Sequence, residues 1–260
     1  MPSLPQLTDP QPQVLRRIAG ALVERNREKD ALHDSGRLPI SQIGDPCERS
    51  LWAGLHRIGK PDMDPHLLAV FAHGNAIEAH VVWLLQIAGY AVSTYDPSTG
   101  SQWRVTDLDE RVSGRLDGHI VLGSKKARER VALLEIKSAN ARQYAVLIGC
   151  GVDNWRPQYV DQVQYYMGLA ELEECLFVVY NKNDFVLDGE QWKPDYLHVE
   201  RIRFDASRFE RLRAKAKRVV ESNDIPERPA KATSQYCGFC KYCDHNDWCW
   251  SATTGVKFDE

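Results

Sequence analysis

The chain has 260 residues, a hydrophobic content of 43%, and 33 Lys and Arg against 36 Asp and Glu, for a net charge of −3. That length supports one good core with a small appendage. The charge balance excludes the strongly basic class of small DNA-binding domains, but not an enzyme whose cations arrive with an acidic metal site. No apolar run reads as long enough to cross a bilayer. The opening MPSLPQLTDPQPQ lacks the basic start and apolar stretch of a signal peptide, so it reads as a flexible lead-in to a cytoplasmic protein. In that compartment disulfides are disfavoured, and the seven cysteines are expected in metal or core roles.

Helical and strand-like segments alternate, which predicts an α/β or α+β class. Apolar spacing predicts helices over Val14–Leu32, over Asp45–His56 with Cys47 in its first turn, and over Asp64–Ala88, which Gly89 ends. Strands are expected at Tyr90–Tyr95, Trp103–Val105, Arg111–Leu122 and Val131–Ser138, with GSKKARER as a hairpin loop between the last two. A helix over Trp155–Leu172, strands at Cys175–Tyr180 and Tyr196–Phe204, and a basic helix follow. Ile225–Ala230, with two prolines, reads as a linker to a cysteine-rich tail. The stretch Arg201–Arg218 holds eight Lys and Arg. It reads equally as a solvated helix face or as a DNA-backbone surface, with Arg208, Arg211 and Lys215 as candidate contacts.

The chemistry concentrates in SGRLDGHI and LLEIKSA. Glu135 and Lys137 lie two apart on a strand and therefore share a face, and strand pairing can bring Asp117 beside them. Carboxylate oxygens hold hard cations such as Mg²⁺ or Mn²⁺, which activate a phosphodiester for hydrolysis, and a lysine can neutralise charge on the phosphate. The same three residues would equally form an ordinary salt bridge between strands. Upstream, FAHGNAIEAHVV offers Glu78 as a third acidic ligand, with Gly74 permitting close approach of another element or a substrate. Downstream, PQYVDQVQYYMGL places Gln162 and Tyr166 four apart on one helical face, with Gln158 a turn earlier.

The order GNAIE, GRLDG, EIKSA, QVQYY resembles the RecB-like branch of the PD-(D/E)XK nucleases, over about Gly74 to Tyr166. The resemblance implies a restriction-endonuclease-like core: a central mixed sheet flanked by helices. It also implies Mg²⁺ or Mn²⁺ held by Glu78, Asp117, Glu135 and the Ile136 carbonyl, with Lys137 catalytic, and with Gln162 and Tyr166 contacting DNA or supporting the site. One departure is Glu78, where many RecB-like members carry histidine and the lambda-type phage exonucleases carry glutamate.

The tail, YCGFCKYCDHNDWCW, carries Cys237, Cys240, Cys243 and Cys249 within thirteen residues, a spacing that by itself suits zinc. In the iron–sulfur RecB-like exonucleases, which include the CRISPR-associated exonuclease and the AddB nuclease domain, one cysteine precedes the core and a C-x-x-C-x5-C set follows it. That pattern implies a 4Fe–4S cluster on Cys47, Cys240, Cys243 and Cys249, joining N-terminal helical and C-terminal segments and leaving Cys237 spare. Cys150 and Cys175 are expected in the core. Three regions follow from this reading: 1–63 with the first cluster cysteine, 64–223 as the nuclease core, and 224–260 as the cysteine segment.

The implied activity is a DNA exonuclease working 5′ to 3′ on linear or single-stranded DNA. The alternatives are a structure-selective endonuclease on the same core, or a non-catalytic DNA-end-binding subunit with a structural zinc or iron–sulfur site. Relatives of this kind serve phage recombination, DNA repair and CRISPR adaptation, with helicase or recombinase partners. Neither pathway nor oligomeric state follows from the residues.

Overall fold

The computed structural model describes residues 11–32, 36–59, 63–124, 127–188 and 191–251. Its elements, in chain order, are α1 (Gln11–Leu32), β1 (Leu38–Pro39), a 3-10 turn (Ile40–Gln42), α2 (Glu48–Leu55), α3 (Pro65–Ile87), β2 (Val92–Ser93), β3 (Arg104–Asp107) and β4 (Val112–Arg115). They continue with β5 (Gly118–Ser124), β6 (Ala127–Ala139), α4 (Ala141–Trp155), α5 (Pro157–Ala170), β7 (Glu174–Asn181), β8 (Phe185–Asp188), β9 (Gln191–Pro194), β10 (Leu197–Arg203), α6 (Ala206–Glu221) and α7 (Asn246–Ser251).

The principal sheet has five strands in the order β10-β7-β6-β5-β2. Strands β6 and β7 run parallel, and the other pairs are antiparallel. Strand β6 is buried on both faces, so Ala132 to Ile136 form an unbroken buried run rather than an alternating one. On one face α3 sets Ile77 and Val81 against Ile120, Ala132, Leu134, Ile136 and Val178. On the other, α4 and α5 bring Tyr144, Leu147, Val160 and Val163 onto Leu133, Phe177 and Val179. That second cluster extends through Leu38, Ile40, Leu51 and Trp52 to Trp248, so segments near both ends of the chain share one core. A smaller sheet, β1-β4-β3, stands beside the main one, and β8 and β9 form a separate hairpin.

Several expectations need correction. The stretch Arg111–Leu122 is two strands in different sheets, β4 and β5, broken at Leu116 and Asp117. The break exists because Leu116 is buried in one core and Ile120 in the other. Most of GSKKARER is strand, at the end of β5 and the start of β6, and Lys125 and Lys126 lie outside the described residues. Tyr90–Tyr95 shrinks to the two-residue β2. Helix α4 was not foreseen, and its C-terminal turn kinks at Gly151, whose φ of 76° suits glycine. Cys47 stands at the N-cap of α2, not within its first turn. Helix α3 is, by length and composition, apolar enough to cross a bilayer, contrary to the sequence reading. In the fold it lies across the main sheet on Ile77 and Val81. Cys175 is buried as expected, but Cys150 is exposed on α4.

Candidate metal centre and cysteine cavity

The break between β4 and β5 leaves Asp117 at the seam of the two sheets, one residue before the pair Gly118–Leu134. Its Oδ2 accepts the Ile136 N–H at 2.7 Å, which fixes the carboxylate against the middle of β6. Glu135 is fully buried on the face covered by α5, and it meets Lys137 two residues on: Nζ to Oε1 is 2.5 Å. From α5, Gln162 donates through Nε2 to the same Glu135 oxygen at 2.8 Å. The other oxygen, Oε2, is buried without a hydrogen-bond partner. Lys137 also lies 5.1 Å from the centre of the Tyr159 ring. Glu78 reaches the group from α3, close enough to feel both Asp117 and Lys137.

Proton affinities follow from this crowding. Burial pushes Glu135 up to about 8, and Asp117 adds to it while Lys137 opposes. Glu78 rises to about 7, through burial and then the Asp117 charge. Asp117 is raised by burial, against Lys137 and the Ile136 N–H. Burial pulls Lys137 down, but Glu135 and Asp117 outweigh it and hold the ammonium above its ordinary range. Three carboxylates thus face one lysine, an arrangement short of positive charge. Among the described residues, no three His, Cys, Asp or Glu side chains already stand as a closed metal-binding group. The donor set nevertheless fits a hard divalent cation: carboxylate oxygens with suppressed acidity, and an unpartnered Oε2.

Gln162 and Tyr166 are both buried, at 5% and 2% exposure. They therefore stand behind Glu135 rather than on an outer face. The Tyr166 ring packs on Gly114, where a Cβ would come within 2.5 Å of Cε1, so the first glycine of GRLDG is needed for close approach. Gly74, by contrast, faces open space: among the described residues nothing lies within 4 Å of a Cβ placed there. Sequence reasoning missed Tyr159. Its signal was position: Tyr159, Gln162 and Tyr166 follow an i, i+3, i+7 stripe on α5.

On the basic helix α6, Arg208 and Lys215 are partly buried against protein partners, whereas Arg211, Arg213, Lys217 and Arg218 are exposed. Arg208 binds Asp161 (2.7 Å), Asp153 (2.9 Å) and the Pro157 carbonyl, and Lys215 donates to the Asp45 carbonyl at 3.0 Å. Arg213 grips Asp107 with two nitrogens, and Arg218 pairs with Glu48. Of the three candidate DNA contacts, Arg211 remains exposed, bonded to Ser207.

All seven cysteines are free thiols. Cys47, Cys240, Cys243 and Cys249 line one cavity of about 610 Å³ between α2 and the C-terminal tail, whereas Cys237 is not among its lining residues. Burial pushes the Cys47 thiol up, and Asp45, Cys243 and Cys249 push the same way. Arg228 donates through Nε to Cys249 Sγ at 3.3 Å and stacks 4.3 Å from the Trp250 ring centre. Cys243 Sγ lies 3.7 Å from Ser50 Oγ. Cys237 is held down at about 6 by backbone hydrogen bonding at Ser234, while burial and then Cys237 push Cys240 up to about 11.

No protein-family model matches the chain, and no curated protein matches its sequence. Among solved structures, two of LHK-Exo, an alkaline exonuclease from Laribacter hongkongensis, share 17% and 18% identity, the former in complex with dAMP. Each match covers 71% of this chain and 86% of the other, with a TM-score of 0.49. SSO0001 shares 13% identity over 93% of this chain and 98% of its own, also at a TM-score of 0.49.

Proposed function

We propose that the chain is a divalent-metal-dependent DNA nuclease, an exonuclease acting 5′ to 3′ on linear or single-stranded DNA. One observation carries the reading. Strand pairing and α3 converge Glu78, Asp117, Glu135 and Lys137 from three separate elements, and the carboxylates there are left with too little positive charge. A salt bridge alone would need one carboxylate. Three, with a buried oxygen unpartnered, suit a site completed by a cation.

Glu78, Asp117, Glu135 and the Ile136 carbonyl would hold Mg²⁺ or Mn²⁺, which would polarise a phosphodiester and acidify an attacking water. The residues themselves do the remainder. Lys137 stays protonated, so it serves as a charge and hydrogen-bond donor to the scissile phosphate rather than as a base. Gln162 aims Glu135 from behind, and Tyr159 and Tyr166 wall the site from α5.

The second part of the reading is a structural 4Fe–4S cluster on Cys47, Cys240, Cys243 and Cys249. Its support is that these four, drawn from both ends of the chain, ring one cavity that excludes Cys237. A zinc ion held by tail cysteines alone would recruit Cys237 instead. The decisive experiment is anaerobic purification, metal analysis and a visible spectrum, then Mg²⁺- or Mn²⁺-dependent digestion of end-labelled linear DNA beside Asp117→Asn. Equal digestion by that variant, or digestion in excess EDTA, would overturn the carboxylate metal site.

A further inference from the structure

Two arginine–tryptophan pairs line the cysteine cavity. The Arg228 guanidinium lies 4.3 Å from the ring centre of Trp250, and that of Arg49 lies 5.2 Å from the ring centre of Trp248. The first pair already serves sulfur. Arg228 Nε donates to Cys249 Sγ at 3.3 Å, and the Trp250 side chain hydrogen-bonds to Cys240. The second pair has the same donors and no acceptor. Among the described residues, Arg49 Nε and Trp248 Nε1 are buried without a hydrogen-bond partner. A buried donor left unmet costs stability, so two of them beside one cavity call for an acceptor that the protein does not supply.

Both side chains are held from behind and stand next to ligand positions. Arg49 Nη1 donates to the Pro226 carbonyl at 3.2 Å, and Trp248 stacks on Trp52 with ring centres 6.4 Å apart. Only Glu48 separates Arg49 from Cys47, and Trp248 directly precedes Cys249. The missing acceptor is therefore expected where the four cysteine sulfurs meet. A thiolate-held iron–sulfur cluster is anionic, and hydrogen bonds to its sulfurs are among the levers that set its potential.

We propose that Arg49 and Trp248 donate these N–H groups to sulfur of a cluster carried by Cys47, Cys240, Cys243 and Cys249, so that the two arginine–tryptophan pairs together set its reduction potential. This deepens the iron–sulfur reading and rests on it. Donors to sulfur favour the reduced, more negative cluster and so raise the potential. Both residues are positioning residues for the cluster and take no part in phosphodiester cleavage.

The test is a redox titration of the anaerobically purified full chain, followed by visible absorbance. Wild type is compared with Trp248→Phe, Arg49→Lys and the double variant. Arg49→Lys keeps the charge and removes the Nε–H, so it separates hydrogen bonding from charge. Each single variant is expected to keep the cluster and to titrate at a more negative potential, with a larger shift in the double variant. If Trp248→Phe fails to hold a cluster, Arg49→Lys, which leaves the tryptophan in the core, decides. Cluster-loaded variants that titrate together with wild type would overturn the donor assignment and leave the cluster reading intact. A colourless wild type holding zinc would overturn the iron–sulfur reading and the proposal together.

Discussion

Gln162→Leu isolates the support of Glu135 from the rest of the site. The side chain is buried, and its Nε2 donates to Glu135 Oε1 at 2.8 Å, beside an Oε2 with no partner. A hydrogen bond to a buried carboxylate contributes about 1.5–3 kcal/mol to the ionised form. Removing it should raise Glu135 beyond its present value of about 8 by roughly 1–2 units. A folded-state value above the ordinary 4.5 means that the metal-free fold holds a proton the unfolded chain releases. Stability is then greatest below 4.5 and declines as pH rises towards about 8. In Gln162→Leu the decline should continue to higher pH. With EDTA, its melting temperature should lie near wild type at about pH 6 and clearly below it at about pH 9. In excess Mg²⁺ or Mn²⁺, the acid limb of the cleavage profile should move alkaline by the same 1–2 units. The rate near neutrality should then fall roughly 10- to 100-fold. The assay is initial digestion rate of linear DNA across pH, paired with the two melts. A rate loss uniform over pH, with equal melting shifts at both pH values, would refute the reasoning and reduce Gln162 to a packing residue.

Other expectations concern the same residues and the cavity. Asp117→Asn should abolish cleavage yet stabilise the metal-free protein near pH 8 by on the order of 1 kcal/mol, since it removes a charge that repels Glu135 and Glu78; chemical denaturation in EDTA measures this. Lys137→Met should abolish cleavage and, without metal, destabilise the alkaline form by about 3–5 kcal/mol, because the carboxylates lose the cation paired with Glu135; a pH series of melts checks it. Gly114→Val should cost about 1–3 kcal/mol by forcing Tyr166 off its site, read from the denaturation midpoint. Cys47→Ser should lose the bound metal and about 5 kcal/mol of loop closure on the cross-link model, whereas Cys237→Ser should keep both; metal content and melting of the two variants decide between them.

The sequence by itself determined the chemistry-bearing pairs that local geometry controls. Glu135 and Lys137 share a face because strand side chains alternate, and Gln162 and Tyr166 share one because a helix repeats every 3.6 residues. The parallel pairing of β6 with β7 and the depth of burial had no local signal. Glu135 interrupts the apolar run from Ala132 to Ile136, so the residues alone do not show that its position is buried as well. Only tertiary structure decided that Arg111–Leu122 crosses from one sheet to another, since Leu116 and Ile120 join different cores. That crossing is what puts Asp117 on the Ile136 N–H. It likewise decided that Arg208 and Lys215 turn inward, because their partners Asp161 and Asp45 are distant in the chain. Spacing alone grouped Cys237, Cys240, Cys243 and Cys249, and the resemblance added Cys47 and set Cys237 aside; the tertiary structure brings Cys47 to the cavity of the other three because α2 packs against the tail through Trp52 and Trp248.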